Sequence, residues 1–246
     1  MKNSKPTSYY NEYIEVVQKA LNRTEEKLNM GSIPDNRVHL AKFRCISGKL
    51  KLLIAKYSKG DSKELLRSEY LLILNDIQDL WDSEAVLLKD NKGNPYDLYI
   101  LDSYFYMRWL LSLGILFEIN DSDFKILVEL IDRDNIKDSL YDFLIHSHFK
   151  DRIISKNLAL KEPKNDIVNI LNVEDRTECE LFLKRYLEKD WHKTYKNFNA
   201  FNSHNKPDDM YLFYGCWAFE VTALVKIKRL NDSAFRDNKY YPERLL

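Results

Sequence analysis

The chain has 246 residues, 45% of them hydrophobic, and 38 Lys and Arg balance 38 Asp and Glu for a formal charge of zero. That length is enough to bury a substantial core, while the even charge leaves no overall field to recruit nucleic acid or an anionic membrane and so argues against a DNA-binding role. With only Gly 6 and Pro 6, below the usual shares of about 7% and 5%, turn punctuation is scarce and the composition reads as mostly helix.

The first ten residues, Met1 to Tyr10, are polar and lack the apolar stretch of a signal peptide. Tyr10, Tyr13, Ile14, Val17, Leu21 and Leu28 then recur at helical spacing up to Gly31, a natural stop. Pro34 suits the first turn of a second helix carrying Val38, Leu40, Ala41, Ile46, Leu50, Leu53 and Ile54, which stops by Gly60. Asp61 with Glu64 three residues on has the form of a capping box, with Asp61 as the cap. The helix it opens carries Leu65, Leu72, Ile73, Ile77, Leu80 and Trp81.

Lys89 to Pro95 reads as a loop. Leu98 to Phe117, apolar on almost every side, reads as a central helix surrounded by others. Asp102 and Arg108 interrupt that run, and nothing approaches the ~20 apolar residues needed to cross a bilayer, so the expected location is the cytoplasm. Asn120-Asp121-Ser122 makes a break and cap before two shorter helices around Phe124 to Ile131 and Asp138 to Phe149. Pro163 and Glu174-Asp175 flank connectors, and Thr177 to Tyr195 is expected to be one long helix with Leu181, Phe182, Tyr186 and Leu187 inward. Asn197 to Asp209 reads as a second loop. No strand-like alternation persists long enough to predict a sheet.

Near the C-terminus, Tyr214, Trp217, Ala218, Val221, Leu224 and Val225 recur at three- and four-residue spacing, which predicts one buried helical stripe. Lys226, Lys228 and Arg229 fall in its last turn, where cations suit the helix dipole. Asn231-Asp232-Ser233 breaks that helix, and Pro242 forces Tyr241 out of helical geometry, so the tail is expected to dock. Glu220 sits within the apolar helix. A carboxylate there must find donors or shift its pKa upward, and the expected donors are Tyr240, Tyr241, Arg236 or a backbone amide of the tail.

The order Tyr214-Gly215-Cys216-Trp217-Ala218-Phe219-Glu220, the Asn-Asp-Ser break and the closing Tyr240-Tyr241-Pro242 resemble the C-terminal domain of the PoNi immunity proteins. Those proteins neutralise PoNe-type DNase toxins delivered between competing bacteria. The resemblance runs from about Trp191 to Leu246, while the N-terminal half is similar to the family's partner domain in being helical and of the right length. Cys216 departs from the aromatic residue the family pattern leads one to expect. What the resemblance implies is a stoichiometric inhibitor without catalysis or cofactor. Its partner would be a cognate nuclease toxin of the polymorphic, type VI secreted kind.

The expected fold is all-α, an antiparallel helical bundle of two lobes, residues 1–160 and 161–246, sharing or abutting a core. Cys45, Cys179 and Cys216 are scattered and read as reduced packing residues. The zero total charge hides asymmetry: residues 1–60 carry 12 basic against 5 acidic side chains, residues 61–142 carry 8 against 18, and residues 143–246 carry 18 against 15. In the acidic middle, Asp76, Asp79 and Asp82 repeat every three residues, as though on one helical face, with Glu84, Asp97 and Asp102 nearby. Charge runs ordinarily form solvated faces. They can also occupy a nuclease's phosphate-binding cleft as mimics, and these six are the candidate partner-binding residues. Tyr96, Tyr99, Tyr104 and Tyr106 lie beside them, suited to an interface centre or to the core.

No phosphate loop, dinucleotide turn, His-Glu-x-x-His or nucleophile elbow is present. His146 and His148, at i and i+2, point to different helix faces and would not chelate one metal. A helical hydrolase using Glu220 and a histidine is one alternative, and it requires Glu220 in an open cleft. An adaptor for some other protein partner is the second.

Overall fold

The computed structural model describes residues 5–156, 158–160, 166–196, 198 and 203–246. Helices α1 (Thr7–Asn29) and α2 (Asp35–Lys59) form a long hairpin. Each ends where the sequence places its stop, with Gly31 at φ +62° and Gly60 at φ +117°, backbone that L side chains seldom adopt. Helix α3 (Lys63–Leu80) is capped by Ser62, whose Oγ accepts from the Leu65 amide at 3.4 Å. Asp61, the expected cap, instead pairs with Lys59 at 3.0 Å.

A short helix α4 (Ser83–Val86) leads into strands β1 (Leu87–Lys89) and β2 (Pro95–Tyr99), paired antiparallel with Leu87 opposite Tyr99 and Lys89 opposite Pro95. This corrects the sheet-free expectation. The strands are too short to register as alternation, and Asp90 holds the turn, its carboxylate accepting from the Lys92 and Asn94 amides at 2.7 and 2.9 Å.

Helix α5 (Leu101–Leu116) is buried from Ser103 onward, the central helix its composition predicts. Helix α6 (Asp121–Arg133) is capped by Asn120, which accepts from the Asp123 amide at 2.8 Å. Helix α7 (Ser139–His146) follows. Then come α8 (Asp166–Asn172), α9 (Arg176–Arg185), a π-helical turn (Tyr186–Asp190) and α10 (Trp191–Tyr195). The helix expected over Thr177–Tyr195 is thus present without a gap, with a π-helical turn inside it. Leu181, expected inward, is 64% exposed, because Cys179, Leu183, Tyr186 and Leu187 take the buried side and Leu181 lies opposite them.

The last helix, α11 (Phe219–Lys228), begins five residues later than the apolar spacing suggests. Phe213 to Ala218 is non-helical yet buried throughout, with Gly215 at φ +125°. Burial on every side, rather than a helical stripe, explains the recurrence of Tyr214 and Trp217. The Ala218 amide bonds to the Tyr240 carbonyl at 2.8 Å, docking the tail beside this segment.

One cluster of buried apolar side chains runs from Tyr9 to Leu245, with α11 packed on α5, so N- and C-terminal portions share a core and the protein is predominantly all-α. The expected lobe boundary after residue 160, with Pro163, abuts residues 161–165, which lie outside the described residues, as do Asn197 and residues 199–202 of the second expected loop.

Candidate functional site

The six candidate carboxylates separate into two groups. Asp76 lies on α3 against Lys49 (2.8 Å), which also holds Glu25 (2.6 Å), so it is tied into the α1–α2–α3 packing. Asp102, in the first turn of α5, acts through space on Lys51 of α2. The other four lie on or beside the end of α3, α4 and the hairpin. Asp79 is exposed on the last turn of α3. Asp82 does not continue that helical face, because Trp81 turns at ψ 78° into the core and ends α3. Asp82 instead caps α4, accepting from the Glu84 amide at 2.9 Å. Glu84 is exposed and paired with Lys89 on β1, which holds its carboxyl below the usual range. Asp97 on β2 is exposed and accepts from Asn135 Nδ2 at 2.7 Å.

Much of the remaining acidic block is structural. Asp134 is buried and accepts from Ser83 Oγ (2.5 Å), Tyr99 Oη (2.9 Å) and Arg133 Nε (2.9 Å), fastening the hairpin to α6. Arg152 bridges Asp132 and Asp142 at 2.6 and 2.7 Å. Tyr99, Tyr104 and Tyr106 are core residues. Tyr96 remains exposed, joined on the hairpin by Leu88 and Leu98. Leu88 has no place in the sequence expectations and Leu98, expected to open the central helix, lies on β2 instead, although apolar residues flanking a polar turn were the available signal. The hairpin thus exposes Leu88, Tyr96 and Leu98, with Asp97 alternating between the last two on β2 and Asp82 and Glu84 on the adjoining α4 segment.

The C-terminal run is structural in a different way. Ser58 of α2 accepts from Trp217 Nε1 at 2.8 Å, and its Oγ lies 2.9 Å from the Tyr214 carbonyl oxygen. Tyr57 packs its ring edge-on to Trp217, centroids 5.0 Å apart. Glu220 has no solvent exposure, and its Oε1 accepts from Trp191 Nε1 at 2.7 Å. Trp191 was the missed donor. Of the anticipated ones, Tyr241 and Arg236 bind Asp232 at 3.1 and 2.5 Å, and Tyr240 packs on the Trp191 ring at 4.4 Å. The open cleft that a hydrolase using Glu220 requires is therefore not there. Replacing Trp191 with Phe keeps an aromatic ring but withdraws a donor from a buried carboxylate and removes part of a buried indole, and should cost at least about 1–3 kcal/mol. Urea melts read this directly, and a midpoint within error of wild type would show that the bond contributes nothing.

His146 Nδ1 contacts the Arg152 carbonyl at 3.1 Å, while His148 pairs with Asp121 at 2.8 Å and stacks on Phe124 at 4.0 Å, so the two imidazoles serve different contacts. Among the described residues no cluster of three or more His, Cys, Asp or Glu has metal-binding geometry. Cys45, Cys179 and Cys216 are buried, and among the described residues none forms a disulfide. No described helix is long and apolar enough to cross a membrane.

Two family models match the chain: PoNe immunity protein (PoNi), N-terminal, over residues 3–129, and PoNe immunity proteins (PoNi), C-terminal, over residues 136–245. Comparison with curated proteins gives no match. Among solved structures, the crystal structure of protein PA2201 from Pseudomonas aeruginosa superposes with a TM-score of 0.70 over 99% of this chain and 88% of that one, at 16% identity. That likeness is one of fold.

Proposed function

Since the chain belongs to the PoNe immunity protein (PoNi) family, we propose that it binds a cognate DNase toxin and neutralises it by laying the α4–hairpin end across the substrate cleft. Family membership over both halves carries the immunity role, and immunity proteins of this family are inhibitors rather than enzymes. In this reading the protein acts in the cytoplasm, against a toxin delivered by type VI secretion from a competing cell.

A nuclease must hold phosphates in a cationic cleft. Asp79, Asp82, Glu84 and Asp97 present carboxylates to such a cleft, which accelerates encounter and selects the partner. Tyr96, Leu88 and Leu98 supply the desolvated centre that carboxylates alone lack. Asp76 and Asp102 are left out of this surface: Asp76 is tied into the α1–α2–α3 packing through Lys49, and Asp102 acts through space on Lys51 of α2.

Equimolar protein should abolish DNA cleavage by the toxin. The triple variant Asp79→Lys/Glu84→Lys/Asp97→Lys should weaken toxin affinity by about 10- to 100-fold at low salt and flatten its salt dependence. Full cleavage with wild-type protein bound in equimolar amount would remove the neutralisation reading. Unchanged affinity in the triple variant would remove the assigned surface.

A further inference from the structure

The basic N-terminal segment is not spread evenly over the surface. Two adjoining cavities, about 720 Å³ and 460 Å³, open along α1 and α2 and share Thr24 and Arg44. Lys27, Arg37, Arg44, Lys51 and Lys206 line them, and among the described residues no Asp or Glu does. Elsewhere on α2 Lys49 is neutralised by Glu25 and Asp76, Lys56 by Glu69 and Lys59 by Asp61, while Lys42 makes no ion pair among the described residues. Along the groove, among the described residues, none of the five makes a side-chain ion pair. Lys51 is the most enclosed, with its ammonium 5.9 Å from the ring centres of both Tyr106 and Tyr214. Burial pulls its pKa down, with Asp102 opposing from a distance. A partly desolvated cation lacking a contact counterion is a group that an incoming anion stabilises.

From this geometry we infer that the α1–α2 groove is a second binding site, which takes an acidic segment of a protein partner in extended form. Arg37 to Lys51 spans fourteen residues of α2, about 21 Å at 1.5 Å per residue, which matches about six residues of extended chain. Nucleic acid is the poorer fit. Of the three rings in the wall, Tyr13 and Tyr214 are each 2% exposed and the half-buried Tyr211 already stacks on Tyr9 at 6.0 Å, and single strands need free aromatic faces to stack upon. Assigning the acidic segment to the toxin rests on the function proposed above. The groove would then be a contact separate from the hairpin patch, of opposite charge, giving the partner a two-point electrostatic match.

The test uses the full chain and a fluorescein-labelled hexaglutamate peptide, read by anisotropy at low salt. A single-stranded DNA 12-mer and inorganic phosphate serve as comparison ligands. The peptide should bind more tightly than either, and Arg37→Glu/Arg44→Glu, at exposed positions, should weaken it at least about tenfold. Absence of peptide binding, tighter binding of the oligonucleotide or phosphate, or peptide affinity untouched by the charge reversal would each overturn the site. A second arm measures toxin affinity with the same variant. A tenfold loss assigns the segment to the toxin. Wild-type inhibition with unchanged affinity in the variant overturns that assignment and leaves the immunity role standing. A toxin that ignores the wild-type protein overturns the immunity reading, and the peptide arm alone then judges the groove.

Discussion

Alanine at Gly215 is expected to destabilise the protein by about 3 kcal/mol, from about 1–3 kcal/mol of backbone strain and a similar amount from overpacking. At φ +125° the glycine sits where an L side chain is strained. An added Cβ would also collide with Ser58 Oγ and come within 2.6 Å of Trp217 Nε1. Both atoms are held: Ser58 belongs to α2, and its hydroxyl bonds to the Trp217 indole while lying against the carbonyls of Ile54 and Tyr214. The crowding therefore cannot be relieved by one side chain swinging aside. Gly31 supplies the control, since it also has positive φ but nothing lies within 4 Å of its Cβ position. Thermal and urea unfolding of Gly215→Ala and Gly31→Ala should separate strain from collision, with a Tm loss of about 6–12 °C for the first. Equal losses in the two variants would mean that the Ser58–Trp217 contact does not restrict the site.

The same segment shows where the sequence is legible and where it is not. Gly31, Gly60 and Asn120 end or begin helices through chemistry contained within a few residues, so those boundaries can be read along the chain. Asp82 cannot be read so. It falls three residues after Asp79, but whether it shares a helical face depends on Trp81 finding Tyr99, eighteen positions away, in the core. The start of α11 likewise depends on Ser58, more than 150 residues from Trp217. The Glu220 donor also comes from another element, Trp191. For the candidate site, composition revealed that carboxylates were abundant in the middle of the chain. Which of them lie at the hairpin depends on where α3 ends and on the β1–β2 pairing, neither of which composition shows. Lys49 and Lys51 lie two residues apart on α2, yet the first is clamped by two carboxylates and the second faces a groove with none.

Asp138 shows the opposite fate of a carboxylate from the acidic block, and its removal should cost about 3–5 kcal/mol, the range for stranding a buried charge partner. It is fully buried, caps α7 through the Leu140 and Tyr141 amides at 3.0 Å each, and accepts from Tyr104 Oη and the Ala159 amide at 2.8 Å each. The Tyr104 hydroxyl in turn receives Arg108 Nη2 at 2.6 Å, so an interior cation and anion are joined through a phenol. Asp138→Ala would leave four donors and the Arg108 charge without that acceptor. Burial outweighs Arg108 and the donors and raises the Asp138 carboxyl above its ordinary value. The native state thus binds this proton more tightly than the unfolded chain, so the associated stability is fully present below about pH 4 and is lost as pH rises through the folded value. Asp138→Asn cannot titrate at this position. Urea unfolding of both proteins between about pH 4 and about pH 8 should show the wild type losing ground to the Asn variant as pH rises. A wild-type advantage that grows over that range would mean the donors and Arg108 overcome burial, and that the fold favours the ionised carboxylate.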